Sequence, residues 1–223
     1  MVFGVLKNLL REAIFAPKKK VSGGTEIQNI STSSIPPIKL NMGCGYNKLL
    51  GYINVDASAV CSPDINFDLE TLPWPWKTSI ADEVVFNHSL EHMGQNPKIF
   101  LGMMKELYRI CKHGAAISIN VPHPRHDSFI GDPTHVRPIT PFVLQLFDKE
   151  KNDFWKETGA ANTPLAHYLG VNFKIVDLQH NIAEPYRTMF EENKISLDQL
   201  DKMSIELNNI ISEYRFKLLA VKP

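Results

Sequence analysis

Lys39–Met42 reads as a short apolar strand, and Gly43-Cys44-Gly45 directly after it reads as a tight turn. Eleven residues beyond Gly45, the run Ile53-Asn54-Val55-Asp56 reads as a second strand ending in an acid, and Asp68 follows twelve residues later. Glycines let a backbone approach a ligand closely, and an acid at a strand end can hold two vicinal hydroxyls. The pattern therefore points to a nucleoside-bearing cofactor. A dinucleotide fingerprint needs GxGxxG and an acid about 20 residues on. Here Lys48 occupies the third glycine position and Asp56 comes too early. Cys44 reads as a small buried turn residue rather than a reactive thiol.

A second reactive stretch is His123-Pro124-Arg125-His126-Asp127, continued by Gly131-Asp132-Pro133-Thr134-His135-Val136-Arg137-Pro138. It leaves the end of a predicted strand, where an acceptor pocket belongs. His135 is a candidate base near neutral pH. Arg125 and Arg137 are candidates for pairing with a carboxylate or phosphate, with Asp132 beside them. The competing reading is that Asp132, His135 and Arg137 lock a long lid through internal hydrogen bonds. His92 is a second candidate base, or else a histidine bonded within the fold. The spacing 123, 126, 132 and 135 matches no helix-borne zinc pattern and has no thiolate nearby, so no metal is expected.

These residues need elements to position them. Ile38–Met42, Tyr52–Asp56, Ile65–Phe67, Glu83–Asn87 and Ala115–Val121 read as strands, with a short or irregular helix near 46–50. Asn96 and Pro97 open a helix whose buried stripe is Ile99, Phe100, Met103, Leu107 and Ile110; Gly114 follows its end. Residues 122–140 form a loop with four prolines. Thr140-Pro141 opens a helix to about Phe147. Val171–Gln179 and Tyr214–Val221 have strand character. Between them Ser196 and Gln199 form a capping box before a stripe of Leu200, Met203, Leu207 and Ile210. Alternating strands and helices imply a largely parallel sheet, with ligands beyond its carboxyl strand ends.

The chain has 223 residues, enough for one full core. Lys plus Arg number 24, as do Asp plus Glu, so no global positive field collects nucleic acid or acidic membranes. Three cysteines without a CxxC pair fit a reducing, cytoplasmic compartment. No segment approaches the roughly 20 apolar residues of a membrane span. Residues 1–35 read as an amphipathic helix, a lysine run at 18–20 and a linker. That helix docks on its own domain or on a second copy, giving a homodimer, or makes weak contact with a membrane surface.

In order and spacing these motifs resemble those of the class I S-adenosylmethionine-dependent methyltransferases. Leu40-Asn41-Met42-Gly43-Cys44-Gly45 is similar to the family's glycine-rich motif. Gly51–Asp56 resembles its second strand and ribose-binding acid, and Phe67-Asp68-Leu69-Glu70 its adenine contact. Asn87-His88-Ser89-Leu90-Glu91-His92-Met93 resembles the segment after the fourth strand, and Phe216–Pro223 the last strand. The resemblance covers residues 38–121 closely and 171–223 loosely. It implies a Rossmann-like α/β fold over 36–223: a mostly parallel seven-stranded sheet, helices on both faces, the last strand antiparallel, and a helical insertion around 184–211. It implies S-adenosylmethionine as cofactor, held by Asn41, Gly43, Gly45, Asp56, Asp68, Leu69 and Asn87. Asn41 stands where the family often has an acid. The implied reaction is methyl transfer to an O or N atom of a small-molecule, lipid-linked or sugar acceptor. Two alternatives stay open: a non-catalytic module of the same fold, and a methyltransferase acting on nucleic acid or protein.

Overall fold

The computed structural model describes residues 36–223, so the expected N-terminal helix and linker lie outside the described residues. Seven strands form one sheet: β1 (Ile38–Met42), β2 (Ile53–Asp56), β3 (Ile65–Asn66), β4 (Ala81–Asn87), β5 (Cys111–Pro122), β6 (Phe173–Ile182) and β7 (Ile211–Ala220). Their order is β3-β2-β1-β4-β5-β7-β6. The first five pair in parallel, and β7 runs antiparallel between β5 and β6. Leu40, Met42, Val55, Val84, Phe86, Ile117, Ile119 and Leu218 bury the centre of the sheet. Because β1 and β4 are central, both faces are covered: Leu40, Asn41 and Met42 of β1 and Val84, Val85 and Phe86 of β4 are buried in succession.

The helix predicted near 46–50 is a turn. A buried amide network holds it. Asn41 Nδ2 donates to Asn54 Oδ1 at 2.9 Å and to the Asn47 carbonyl at 3.0 Å. Asn54 Oδ1 also accepts from the Leu49 N–H, and Asp64 Oδ2 accepts from both nitrogens of Asn54. Two side-chain amides thus satisfy backbone groups that a helix would have satisfied itself. The next crossovers are equally spare. A 3₁₀ turn (Ala59–Cys61) lies between β2 and β3, and a packed loop lies between β3 and β4. In that loop Trp74 and Trp76 are buried edge-on to each other, with Phe67 edge-on to Trp76.

Helix α1 (Pro97–Ile110) starts as predicted, with Asn96 accepting from the Lys98 N–H and proline in its first turn. Phe100, Met103, Met104, Leu107 and Ile110 form its buried stripe; Ile99 is only partly buried. Burying each such side chain is worth about 1.5–3 kcal/mol relative to leaving it in water. Gly102 lets Leu72 pack on the helix, since a Cβ there would lie 2.3 Å from Leu72 Cδ1. Gly114, expected just after α1, lies inside β5 at φ +75°. The β4–β5 register shifts nearby, between Ala81 and Glu83.

Beyond β5 come α2 (Asp127–Ile130), α3 (Pro141–Gln145), α4 (Lys149–Glu157) and α5 (Leu165–Leu169). The β6–β7 connection carries α6 (Tyr186–Glu191) and α7 (Leu197–Glu206), the latter opened by the full Ser196/Gln199 capping box. Leu200, Ile210 and Ile211 are buried in a small second core with Met203 packed against them. Leu207, expected in that stripe, is instead an exposed C-cap. No described helix is long and apolar enough to cross a membrane.

Candidate functional site

The carboxyl end of β1 runs into the glycine turn. Gly43 and Cys44 both donate their N–H groups to the Val55 carbonyl, at 2.9 and 3.0 Å, which fastens the turn to β2. Gly45 donates its N–H to Asp56 Oδ2 at 2.7 Å, and Asp56 Oδ1 accepts from the Ser58 N–H. The carboxylate therefore faces the glycine turn from a fixed rotamer, with lone pairs left for further donors. Gly43 and Gly45 both have positive φ, +69° and +50°. A Cβ on Gly43 would meet Ser89 Cβ at 2.6 Å, whereas one on Gly45 would meet nothing within 4 Å. Gly45 thus borders open space, and Gly43 is wedged under the segment after β4. Ser89 Oγ, donating to the Met42 carbonyl, closes that contact. Burial, followed by the charge of Asp56, pushes the Cys44 thiol above its ordinary value, which fits an inert turn residue.

The remaining expected cofactor residues divide. Asn41 is buried, with its amide nitrogen committed to Asn54 and Asn47, so it is a fold residue and not a donor facing a ligand. Asn87 ends β4, its Oδ1 accepting from Asn120 on β5. Asp68 is exposed and accepts from the Glu70 N–H. Leu69 is buried beside it, its carbonyl accepting from the Trp74 indole.

At the carboxyl ends of β4 and β5, the 3₁₀ turn Leu90–His92 and the loop around 126–135 line a cleft of about 400 Å³. His92 and His135 come together here, ring centroids 4.6 Å apart, with Asp132 Oδ2 3.7 Å from His135 Nε2. Arg125 and Arg137 do not join them. The Arg125 guanidinium donates to the carbonyls of Ser204, Ile205 and Leu207 and to Asn208 Oδ1, capping the end of α7. Arg137 donates to the Gly94 carbonyl and lies over the Phe100 ring at 4.2 Å. Both are structural clamps. The loop is docked further by the Val136 and Arg137 N–H groups on the Glu91 carbonyl. The lid-locking reading thus holds for Arg137, while His135 also faces the cleft.

Two cleft residues carried no assigned role in the sequence. His88 has φ +50° and its Nε2 stands 2.6 Å from Glu213 Oε2. Glu91, then Glu213, hold its imidazole above the ordinary value against the opposing pull of burial. Glu91 is 0 % exposed, and neither carboxylate oxygen has a hydrogen-bond partner among the described residues. A buried acid amid Leu90 and Met93 leaves no local signal, because its surroundings come from distant segments.

No family model matches this sequence, and no curated protein matches it. Solved structures do. One, a SAM dependent methyltransferase from Archaeoglobus fulgidus, aligns with a TM-score of 0.53 at 20 % identity, over 83 % of this chain and 86 % of its own. A SAM-dependent methyltransferase from Methanosarcina mazei aligns with a TM-score of 0.48 at 15 % identity, over 83 % and 92 % of the two chains. The likeness to the Archaeoglobus protein, together with the strand order and the glycine turn, gives this chain the Rossmann-like fold of the class I S-adenosylmethionine-dependent methyltransferases.

Proposed function

We propose that this chain binds S-adenosylmethionine and transfers its methyl group to an O or N atom of a small-molecule, lipid-linked or sugar acceptor. The observation that carries the reading is the Asp56 carboxylate, held by the Gly45 N–H at the edge of open space. Its two oxygens each accept one backbone N–H, and their remaining lone pairs would take both ribose hydroxyls. A charged acceptor holding two donors outweighs a neutral contact. The sulfonium supplies its own leaving group, so the protein needs to place a nucleophile in line with the methyl and exclude water. The methyl leaves sulfur for the acceptor atom, the C–S electron pair stays on sulfur, and the acceptor's proton departs. The Ser89–Met93 segment touches the glycine turn on one side and carries His92 towards the cleft on the other. His92 and His135 are the groups placed to handle the acceptor's proton.

The lining favours a non-nucleic acceptor. Glu91, Asp132 and Glu213 line the cleft, and no Lys or Arg does so among the described residues. A phosphate backbone needs the opposite charge. Titration calorimetry with S-adenosylmethionine and S-adenosylhomocysteine tests the core of the proposal. Wild type binds both, and Asp56→Ala loses at least ~1.5 kcal/mol, the scale of a charged hydrogen bond. Unaltered affinity in the variant removes the ribose contact, and absence of binding by wild type removes the function. S-adenosylhomocysteine release over an acceptor panel then identifies the substrate.

A further inference from the structure

Glu91 presents an electrostatic problem that the methyl-transfer reading does not solve. Its carboxylate is fully buried and receives no hydrogen bond among the described residues. Leaving a charge in that condition is strongly unfavourable. The groups nearest it are imidazoles, and their own bonds fix which nitrogen each one turns inward. His135 Nδ1 lies 2.9 Å from the Phe129 carbonyl, which can only accept, so Nδ1 carries the proton. His135 Nε2, on a side chain 7 % exposed, then faces Glu91 Oε1 at 4.0 Å. His92 Nδ1 lies 2.9 Å from Thr134 Oγ1. The single Thr134 hydroxyl proton goes to Asp132 Oδ1 at 2.6 Å, so Thr134 accepts from His92 Nδ1–H. That leaves His92 Nε2 as its free lone pair. One ligand atom each from Glu91, His92 and His135 falls within 4.8 Å of the others.

Three ligand-bearing groups therefore converge, and the nearest other imidazole nitrogen is His88 Nδ1, 3.7 Å from Glu91 Oε1. We propose that Glu91, His92 and His135 bind a divalent transition-metal cation of the zinc class, with one coordination position open to the cleft. Two imidazoles and a carboxylate are a borderline donor set suited to zinc. The Nδ1–H bonds to Phe129 and Thr134 are the outer contacts that orient metal-binding histidines. Zinc ligand atoms stand roughly 3.3 Å apart in a tetrahedral site, so small rotamer shifts close the set. Asp132 steers the His92 tautomer through Thr134. His88 lies beside the set and not in it: its Nε2 is held by Glu213 at 2.6 Å, and its Nδ1 faces Glu91 Oε1 at 3.7 Å. Of the loop residues 123, 126, 132 and 135, only His135 joins the set: His123 Nδ1 accepts from the Arg125 N–H, and His126 Nδ1 from the Ser128 N–H. With a cation bound, the same two rings would hold it beside the acceptor, and the proton-handling role proposed above belongs to the metal-free site. Metal binding itself does not depend on the methyltransferase reading.

The test uses the full chain, stripped with a chelator and titrated with zinc chloride by calorimetry, with cobalt(II) absorption as a second readout. One zinc per chain is expected, with cobalt bands of a low-coordinate nitrogen–oxygen site. His135→Ala and Glu91→Gln each weaken zinc binding at least 100-fold, while His167→Ala, at the exposed Asp153 pair, leaves it unchanged. Glu91→Gln keeps the shape and removes the buried charge. Its metal-free form therefore melts no lower than metal-free wild type, which shows that the lost binding is not lost folding. Absence of stoichiometric binding overturns the proposal. So does zinc binding that survives both substitutions, or that is lost in His167→Ala. S-adenosylmethionine affinity, measured on the same samples, reports separately on the cofactor site.

Discussion

Gly43 and Gly45 share a left-handed backbone, but different contacts explain them. At Gly43 an added methyl collides with Ser89 and with the tip of Met93. At Gly45 it enters open space, and only the backbone strain of about 1–2 kcal/mol remains. Gly43→Ala is therefore expected to lower unfolding free energy by about 2–4 kcal/mol, adding the clash to the strain. Gly45→Ala should cost about 1 kcal/mol in stability yet weaken S-adenosylmethionine binding at least tenfold, because its methyl stands where the ligand would pass. Urea unfolding and calorimetry on the two variants separate these effects. The glycine turn and Asp56 were legible in the sequence because the whole constellation spans residues 43–56. The clamp made by Arg125 left no local signal because its partners, Ser204 to Asn208, lie some 80 residues away. The part Asn41 plays in holding the turn was hidden because Asn54 supplies its acceptor from the neighbouring strand.

At the scale of elements, local capping chemistry was readable and long-range substitution for it was not. Asn96-Pro97 and the Ser196/Gln199 box each satisfy their own helix start, so α1 and α7 could be placed from the sequence. The turn at 43–52 depends instead on Asn54, which also supports Asn41 and Leu49. Asn54→Ala leaves the buried Asn41 donor and the Leu49 N–H short of an acceptor. A loss of about 2–4 kcal/mol is expected, from an unsatisfied-group penalty of roughly 1–3 kcal/mol each with partial rescue by water; chemical denaturation measures it. Arg125 plays the matching part for the β6–β7 excursion. Arg125→Ala frees the last carbonyls of α7, so amide exchange over 186–209 should accelerate while cofactor affinity stays within twofold. A large fall in affinity would return Arg125 to the binding site.

For the whole molecule, two partly buried groups help tie the fold's stability to pH. His123 packs against Tyr214. Burial, then the charges of Arg125, His180 and His126, push its imidazole down from 6.5 to about 4. The folded state therefore prefers neutral His123. Its stabilising contribution is complete above pH 6.5 and is lost as the unfolded chain takes up a proton between 6.5 and about 4. Glu106 acts lower on the scale. Burial opposes its charged form, but the Arg109 guanidinium and the Trp74 N–H outweigh burial and hold it below its ordinary 4.5. Its contribution is present above pH 4.5 and fades as pH falls through the folded value. Unfolding free energy should thus decline in two stages on acidification. His123→Asn keeps an acceptor for the Arg125 N–H and cannot titrate, so it should flatten the first stage and leave the second. Glu106→Gln should do the reverse, at a cost in neutral stability from the lost ion pair. Denaturation across pH 3.5 to 8 distinguishes the two curves. If His123→Asn follows wild type between pH 6.5 and 4, the His123 imidazole is not what ties this fold to neutral pH.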